Sequence, residues 1–384
     1  MRSQDLTMSN SKGTTVPIAV SDPSSEPEAD SYGYDGEVIH QPDYTVVVPV
    51  VSDLFDDNTG INARRLLQTA IALADDNDGH VVLLGVAEVA DEATTEQVRE
   101  YTESDDGDEK EQTVPKIVTE RRTQLAQIVN VVGDIDRDVP VRASVRVVTD
   151  TTRGILAALG GGSETAVLLL RGAGFEESWL LGKSTIDTVV DEAECDVFVE
   201  NVGVREGGHA LYVPDVEDHI IASLAESEAE TIESVLLPVG TGPHAALASE
   251  AARAVARTFD ASVTILHVIS PGASKKERGD ARDLLAFAEY VLGSEVDSET
   301  DLREASDPTD VIIEEARDHD FTSIGSPEQK FKLRDLVFEP VQETLIDEKD
   351  VTVLMGRDID RTMRSLYYRY TRAMGNSDTD EQPR

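Results

Sequence analysis

The sequence predicts an α/β fold: two tandem, doubly wound parallel-sheet domains, with a disordered N-terminal tail and a C-terminal helix. Three observations lead there. Apolar runs of strand length alternate with segments of helical period about five times in succession. The alternation then starts again, and Val48-Pro49-Val50 recurs as Leu237-Pro238-Val239, 189 positions later. The connections are short, which suits parallel strands covered by helices on both faces.

Residues 1–42 show no apolar periodicity, contain Ser-Asp-Pro-Ser-Ser-Glu-Pro-Glu-Ala-Asp at 21–30, and are expected to be a disordered acidic tail. Residues 44–51 form an apolar run that reads as a buried strand. A helix follows, with Ala63, Leu66, Leu67, Ala70, Ile71 and Ala74 on one face. A strand at 80–87 leads into a long charged helical stretch reaching about residue 132. Strands at 139–148 and 165–170 enclose a short helix at 153–159, and a helix at 182–192 precedes a last strand at 196–201. The second unit repeats the order. Strands are expected at 234–240, 262–269, 295–303, 321–325 and 351–355, and helices at 247–259, 279–292, 307–317 and 333–346. The domain boundaries are therefore 43–202 and 233–356, with a linker at 203–232 and a basic helix and tail at 357–384. Within the linker, residues 211–214 (Leu-Tyr-Val-Pro) are a candidate for pairing with a sheet edge.

Charge narrows the function. There are 34 basic and 76 acidic residues among 384, a formal net charge of −42. Such a field repels phosphate, so the chain is not expected to bind nucleic acid. It equally disfavours docking on an anionic membrane. No run of about 18 apolar residues is present, so no membrane span is expected. One cysteine, Cys195, excludes an internal disulfide framework. Only nine of the basic residues are lysines. Acid excess with few lysines is the pattern of a cytoplasmic protein from a halophile. At about 1 M salt the Debye length falls to roughly 3 Å and carboxylate repulsion is screened, while the net charge maintains solubility. The competing reading, a binder of cationic partners, fits less well, because the acids are spread along the whole chain. Residues 1–10 hold no apolar core of a signal peptide, so a cytoplasmic location is expected.

Several segments carry a family resemblance. They are the Pro-Val strand that opens each repeat, the Ala-rich first helix, and Ile265-Leu-His-Val268 closing a second strand. To these are added Leu180-Leu-Gly-Lys-Ser-Thr-Ile-Asp-Thr-Val-Val190 and Ala193-Glu-Cys-Asp-Val197. On these residues, and most of all on the repeated order of elements, the chain resembles the universal stress protein family in its tandem form, over roughly 44–201 and 233–355. The resemblance implies the doubly wound sheet shared with adenine-nucleotide-hydrolase-like domains. It also implies ATP as a candidate ligand without strong catalysis, and pairing of the two repeats through their last strands. In this chain that pairing joins Val197, Phe198 and Val199 to Val351, Val353 and Leu354.

The family's ATP pattern is Gly, two residues, Gly, nine residues, Gly, then Ser or Thr. Glycines let backbone N–H groups approach phosphates, and the helix opened by the last of them attracts anions. In the first repeat the corresponding residues are Gly172, Gly174, Gly182, Lys183, Ser184 and Thr185. The spacing departs from the pattern: one residue separates the first two glycines, seven separate Gly174 from Gly182, and Lys183 stands where the family has Ser or Thr. The acid that the family places after the first Pro-Val is Val51 here and Gly240 in the second repeat. Gly182-Lys183-Ser184 also looks like the end of a Walker A loop, but Glu177 stands where that motif needs glycine. Glu176 and Glu177 would repel phosphate besides. Two readings of the segment remain: a nucleotide or anion site, or a helix start in which residues 183–185 cap, with Trp179 packed in a core or an interface. The second repeat keeps Gly325, but Glu328 and Phe338-Glu339 replace the other pattern residues, so it is read as a structural partner.

The remaining constellations are read as structural. The seven histidines show no metal-ligand spacing; His267 is expected to be a satisfied core residue and His244 a local turn or cap. Cys195 lies among Asp191, Glu192, Glu194 and Asp196, a field that raises a thiol's pKa and makes it a poor nucleophile. The acid run at 100–111 lacks the EF-hand order and reads as a solvated insertion. Arg357, Arg361, Arg364, Arg369 and Arg372, interleaved with Met363, Leu366, Tyr367 and Tyr370, form a basic amphipathic stretch. It either docks on the protein's own acidic surface or engages an acidic protein, another subunit or a transporter.

No positioned nucleophile, base or metal set is apparent, so the chain is not expected to be an enzyme. The first expectation is a non-catalytic binding and regulatory module with adenine-nucleotide binding in the first repeat only. The alternative is a nucleotide-independent regulatory partner of a membrane transporter, docking through residues 357–372.

Overall fold

The computed structural model describes residues 18–20, 44–51, 63–103, 115–132, 139–170, 184–201, 232–240, 242, 244–326 and 352–359. Eleven strands among them form one sheet, in the order β1-β4-β3-β2-β5-β6-β11-β10-β7-β8-β9. The strands are β1 (Ile18–Val20), β2 (Thr45–Val50), β3 (His80–Glu88), β4 (Val141–Val148), β5 (Gly162–Leu170), β6 (Cys195–Asn201), β7 (Ser234–Pro238), β8 (Ser262–Ile269), β9 (Ser298–Glu304), β10 (Phe321–Gly325) and β11 (Val353–Arg357). Eight helices are described: α1 (Ala63–Asp75), α2 (Glu92–Glu103), α3 (Lys116–Val132), α4 (Thr151–Leu156), α5 (Thr185–Glu192), α6 (Ala245–Phe259), α7 (Lys275–Leu292) and α8 (Pro308–Arg317).

Each half is wound outward in both directions from its opening strand. In the first, β3 and β4 lie on one side of β2 and β5 and β6 on the other, all parallel. In the second, β8 and β9 lie on one side of β7 and β10 and β11 on the other, again parallel. The opening strands are nearly continuous apolar runs because both of their faces are covered. The halves meet at β6 and β11, the one antiparallel pair among the described residues, in which Val197 lies opposite Arg357 and Val199 opposite Met355, so that Val353 and Leu354 face Asn201 and Glu200 instead of the expected Val197–Val199, and Val351 lies outside the described residues. A single apolar core runs through both halves, from Val46, Leu83 and Leu168 to Val235, Ile265 and Leu354. A second cluster, with Leu236, Ile312, Ile324 and Val353, lies under α8.

Four expectations are adjusted. Residues 18–20, inside the stretch read as disordered, form β1 and pair in parallel with Val145, Arg146 and Val147. Three apolar residues suffice there because the edge of β4 offers unused backbone groups. α7 begins at Lys275 rather than 279, because Ser274 and Glu277 form a capping box: Glu277 N–H donates to Ser274 Oγ (3.2 Å) and Ser274 N–H to the Glu277 carboxylate (2.7 Å). The long helical stretch is described as α2 and α3, with 104–114 outside the described residues. β11 runs to Arg357, past Gly356, because the ladder with β6 continues through both. Arg357 therefore belongs to the sheet and not to a docking helix; its guanidinium donates to the carbonyls of Ala193 (3.2 Å) and Cys195 (3.4 Å). The linker, the expected helix at 333–346 and the basic stretch from Arg361 to Arg372 lie outside the described residues.

Candidate functional site

In a doubly wound sheet, ligands bind beyond the carboxyl ends of the strands, where the strand order reverses. In the first half that place lies between β2 and β5. Hydroxyls and carboxylates gather on its rim. After β4, Asp150 caps α4 by accepting from Arg153 N–H (2.8 Å). Thr151 donates to Glu88, at the end of β3, from both its backbone N–H (3.1 Å) and its hydroxyl (2.5 Å). The Thr152 hydroxyl lies 2.8 Å from that of Thr185, the first residue of α5. Ser184 caps α5: Asp187 N–H donates to Ser184 Oγ (3.0 Å), and Ser184 N–H donates to the Asp187 carboxylate (3.2 Å). Of the predicted site residues, the structure thus brings Ser184 and Thr185 to the rim beside Thr152. Gly172, Gly174, Gly182 and Lys183 lie outside the described residues.

The capping box bears directly on phosphate binding. The α5 N-terminus spends two donors on its own side chains and carries the Asp187 carboxylate in its first turn. A nucleotide phosphate would have to displace that carboxylate or use the backbone ahead of Ser184.

Sequence reading missed Arg121. It reaches from α3 to the ends of β2 and β3, donating from Nε to Val86 O (3.1 Å), from Nη1 to Gln124 Oε1 (2.6 Å) and from Nη2 to Val51 O. It is buried. Its stem fits because residue 85 is glycine; a Cβ there would lie 2.7 Å from Arg121 Cγ. A glycine within an otherwise apolar strand was the available signal.

At the corresponding place in the second half, the described residues make close backbone contact. Gly325, at the end of β10, abuts the start of α6 so closely that a Cβ would lie 2.8 Å from the carbonyl carbon and oxygen of His244. His244 precedes α6 but makes no side-chain cap; its Nδ1 instead accepts from Asp358 N–H (3.0 Å). His267 Nδ1 lies 2.7 Å from Val239 O, the satisfied role expected of it.

The seam holds a second polar assembly that the sequence did not announce. Asp76, after α1, accepts from Arg253 Nε and Nη2 (2.8 and 2.7 Å) and from Arg257 Nη1 (2.9 Å), both on α6. Side-chain exposure is 2% for Asp76 and 8% for Arg253, so this pair is removed from water. Nearby, Asp196 accepts from Ile359 N–H (3.0 Å). Burial, reinforced by Asp358, pushes the Asp196 carboxyl well above the usual range. Burial likewise pushes Glu250 up to about 8, against the pull of Arg253 and with the push of Asp358 and Asp76. Cys195 is raised to about 12 by burial first and Asp196 second, which leaves it a protonated thiol.

Among the described residues no group of three or more His, Cys, Asp or Glu side chains could hold a metal ion, and no helix is long and apolar enough to cross a membrane. No protein-family model matches the sequence, and no curated protein does. Among solved structures, the chain is similar to a universal stress protein from Archaeoglobus fulgidus: 14% identity, 84% of this chain and 99% of that one, TM-score 0.49. A putative universal stress protein from Pseudomonas aeruginosa matches at 15% identity, over 85% and 98% of the two chains, TM-score 0.46. The cytoplasmic domain of a prokaryotic cation chloride cotransporter matches at 13% identity, over 84% and 99%, TM-score 0.42.

Proposed function

We propose that the chain is a non-catalytic regulatory module of the universal-stress type, acting in the cytoplasm, with a single ligand crevice in the first half. ATP or another adenine nucleotide is the candidate ligand, and residues 172–185 are its candidate cradle. The observation that carries this reading is the difference between the two crevices. In the second, Gly325 lies against the His244 backbone, whereas the first presents Thr151, Thr152, Ser184 and Thr185. The test is isothermal titration of ATP, ADP and AMP into the full chain in about 2 M KCl, where carboxylate repulsion is screened. Saturable binding at one site per chain, lost in Gly182→Glu, is the expected result. Two sites per chain, or binding indifferent to that substitution, would overturn it.

A second reading is favoured by the capping box, which commits the α5 N-terminus to Ser184 and Asp187. In it the chain is a nucleotide-independent partner of a membrane transporter, docking through the basic segment after β11. Deleting residues 361–384 should then abolish co-fractionation with membranes, and the titration should show no nucleotide binding by a folded protein.

A further inference from the structure

The antiparallel joint between the halves buries carboxyl groups face to face. Val197 lies opposite Arg357 in the register of β6 and β11. One position further along, Asp196 and Asp358 come opposite each other, and both are buried. Like charges at facing positions repel. The Asp196 carboxyl accepts from Ile359 N–H (3.0 Å), so the two chain segments are in contact there. Asp196, Phe198 and Glu200 share one face of β6. One helix from each half covers that face. Thr69 of α1 donates to Glu200 (2.8 Å), and Leu247 of α6 lies 3.3 Å from where a Cβ on Gly356 would stand. The same two helices are joined where Arg253 of α6 meets Asp76 at the end of α1.

The groups around this pair do not neutralise it. From β11, Arg357 stands nearby, but its guanidinium donates to the carbonyls of Ala193 (3.2 Å) and Cys195 (3.4 Å). From α6, Glu250 adds a third carboxyl. Arg253, one turn on, forks onto Asp76 and donates to Val291 O (3.1 Å). Cys195 on β6 and Tyr44 ahead of β2 complete the surroundings, and each can ionise only to a negative charge. β5 brings Ala166 opposite Asp196, and His244 Nδ1 accepts from Asp358 N–H (3.0 Å). Burial is the main reason that Asp196 and Glu250 keep their protons beyond the ordinary carboxyl range. Asp358 adds to both effects, while Arg357 opposes the first and Arg253 the second.

We propose that the joint between the halves is a proton-operated latch: Asp196, Asp358 and Glu250 share protons while β6 and β11 are paired, and the loss of those protons on alkalinisation releases β11 and α6 from β6 and α1 while each half stays folded. The paired state holds protons that the parted state, with its carboxyls in water, gives up. Rising pH therefore favours parting. Glu250 loses its proton at about 8, so the latch begins to yield just above neutrality. Each half keeps a parallel ladder on both sides of its own opening strand, β2 or β7, and parting the joint breaks no strand pair within either. It uncovers one edge each of β6 and β11 and the facing sides of α1 and α6, so a change of pH becomes a change of available surface. The latch does not rest on the nucleotide crevice.

Hydrogen exchange of the full chain, in about 2 M KCl, tests it. Protection is corrected for the intrinsic pH dependence of exchange and followed from about pH 7 to about pH 10. For the amides of residues 196–201 and 353–357 that bond across the joint, it should fall about tenfold per pH unit for each proton released. At the alkaline end it should stand well below that of β3 and β8, which lie inside the two halves. Asp358→Asn and Glu250→Gln, made separately, each remove one titrating group and should flatten the fall. Either variant decides alone, should the other fail to fold. Equal protection of β6, β11, β3 and β8 throughout would mean that the joint opens only with the whole fold. That result, protection independent of pH, or a fall as steep in the variants as in the unaltered chain would overturn the proposal.

Discussion

The two halves follow one plan and part company at the carboxyl ends of their strands. In the first, that rim is polar: Thr151 on Glu88, Thr152 beside Thr185, Ser184 at the head of α5, and Arg121 across the ends of β2 and β3. In the second, the same place is backbone on backbone at Gly325, and His244 is engaged by the chain leaving β11. The sheet depends on many apolar residues that substitute for one another, whereas a crevice depends on a few residues at strand ends. Two halves can therefore share an architecture while differing at their strand ends.

The halves are joined at the seam, where the largest effect is expected. Asp76→Ala leaves Arg253 buried without its carboxylate, which should cost about 3 kcal/mol in denaturant unfolding, within the range for breaking a buried pair. Glu304→Ala, at the exposed pair with Arg278, should leave the midpoint unchanged. If both were silent, the seam would not be what unites the halves.

A second test acts at Gly325. Gly325→Ala forces a methyl group against the His244 backbone and should destabilise by about 1–3 kcal/mol, as overpacking does. Gly240→Ala, where a Cβ meets nothing, should be neutral. On the open side, Ser184→Ala removes the α5 cap and should cost about 1 kcal/mol. The same loss with nucleotide affinity intact would show the cap to be structural only.

The seam should also make stability depend on pH. Glu250 is raised from 4.5 to about 8, so the folded chain holds a proton that the unfolded chain releases. Stability from this group is complete below about 4.5 and declines as pH rises through 8. Glu250→Gln should accordingly narrow the difference between denaturation midpoints at pH 6 and pH 9. The smallest effect expected is none: with its pKa near 12, buried Cys195 should resist iodoacetamide at pH 8 until the chain unfolds.

The fold was legible because its signals are local. The Pro-Val strands, the helical period from Leu66 to Ala74 and the apolar run at 262–269 all became the elements they suggested. Where boundaries slipped, a local cue had been outweighed. Ser274-Lys-Lys-Glu277 is a legible capping signature, and Gly356 reads as a strand end although the ladder passes through it. The candidate site was legible only in part. Ser184 announces its cap by the acid three positions later, but Arg121 serves carbonyls 35 and 70 residues away. The seam groups Asp76, Asp196, Glu250 and Asp358 come together only through the pairing of β6 with β11, and no spacing in the chain encodes that meeting.

That antiparallel meeting also fixes which way each half points. Every strand from β2 to β6 ends on one border of the sheet, and every strand from β7 to β11 ends on the opposite border. The carboxyl ends of the two halves therefore face away from each other, and no single small molecule can touch both. The chain leaving β6 at Asn201 and the chain entering β7 at Ser234 lie on the same border. The two halves can thus be joined along one border without any crossing of the sheet.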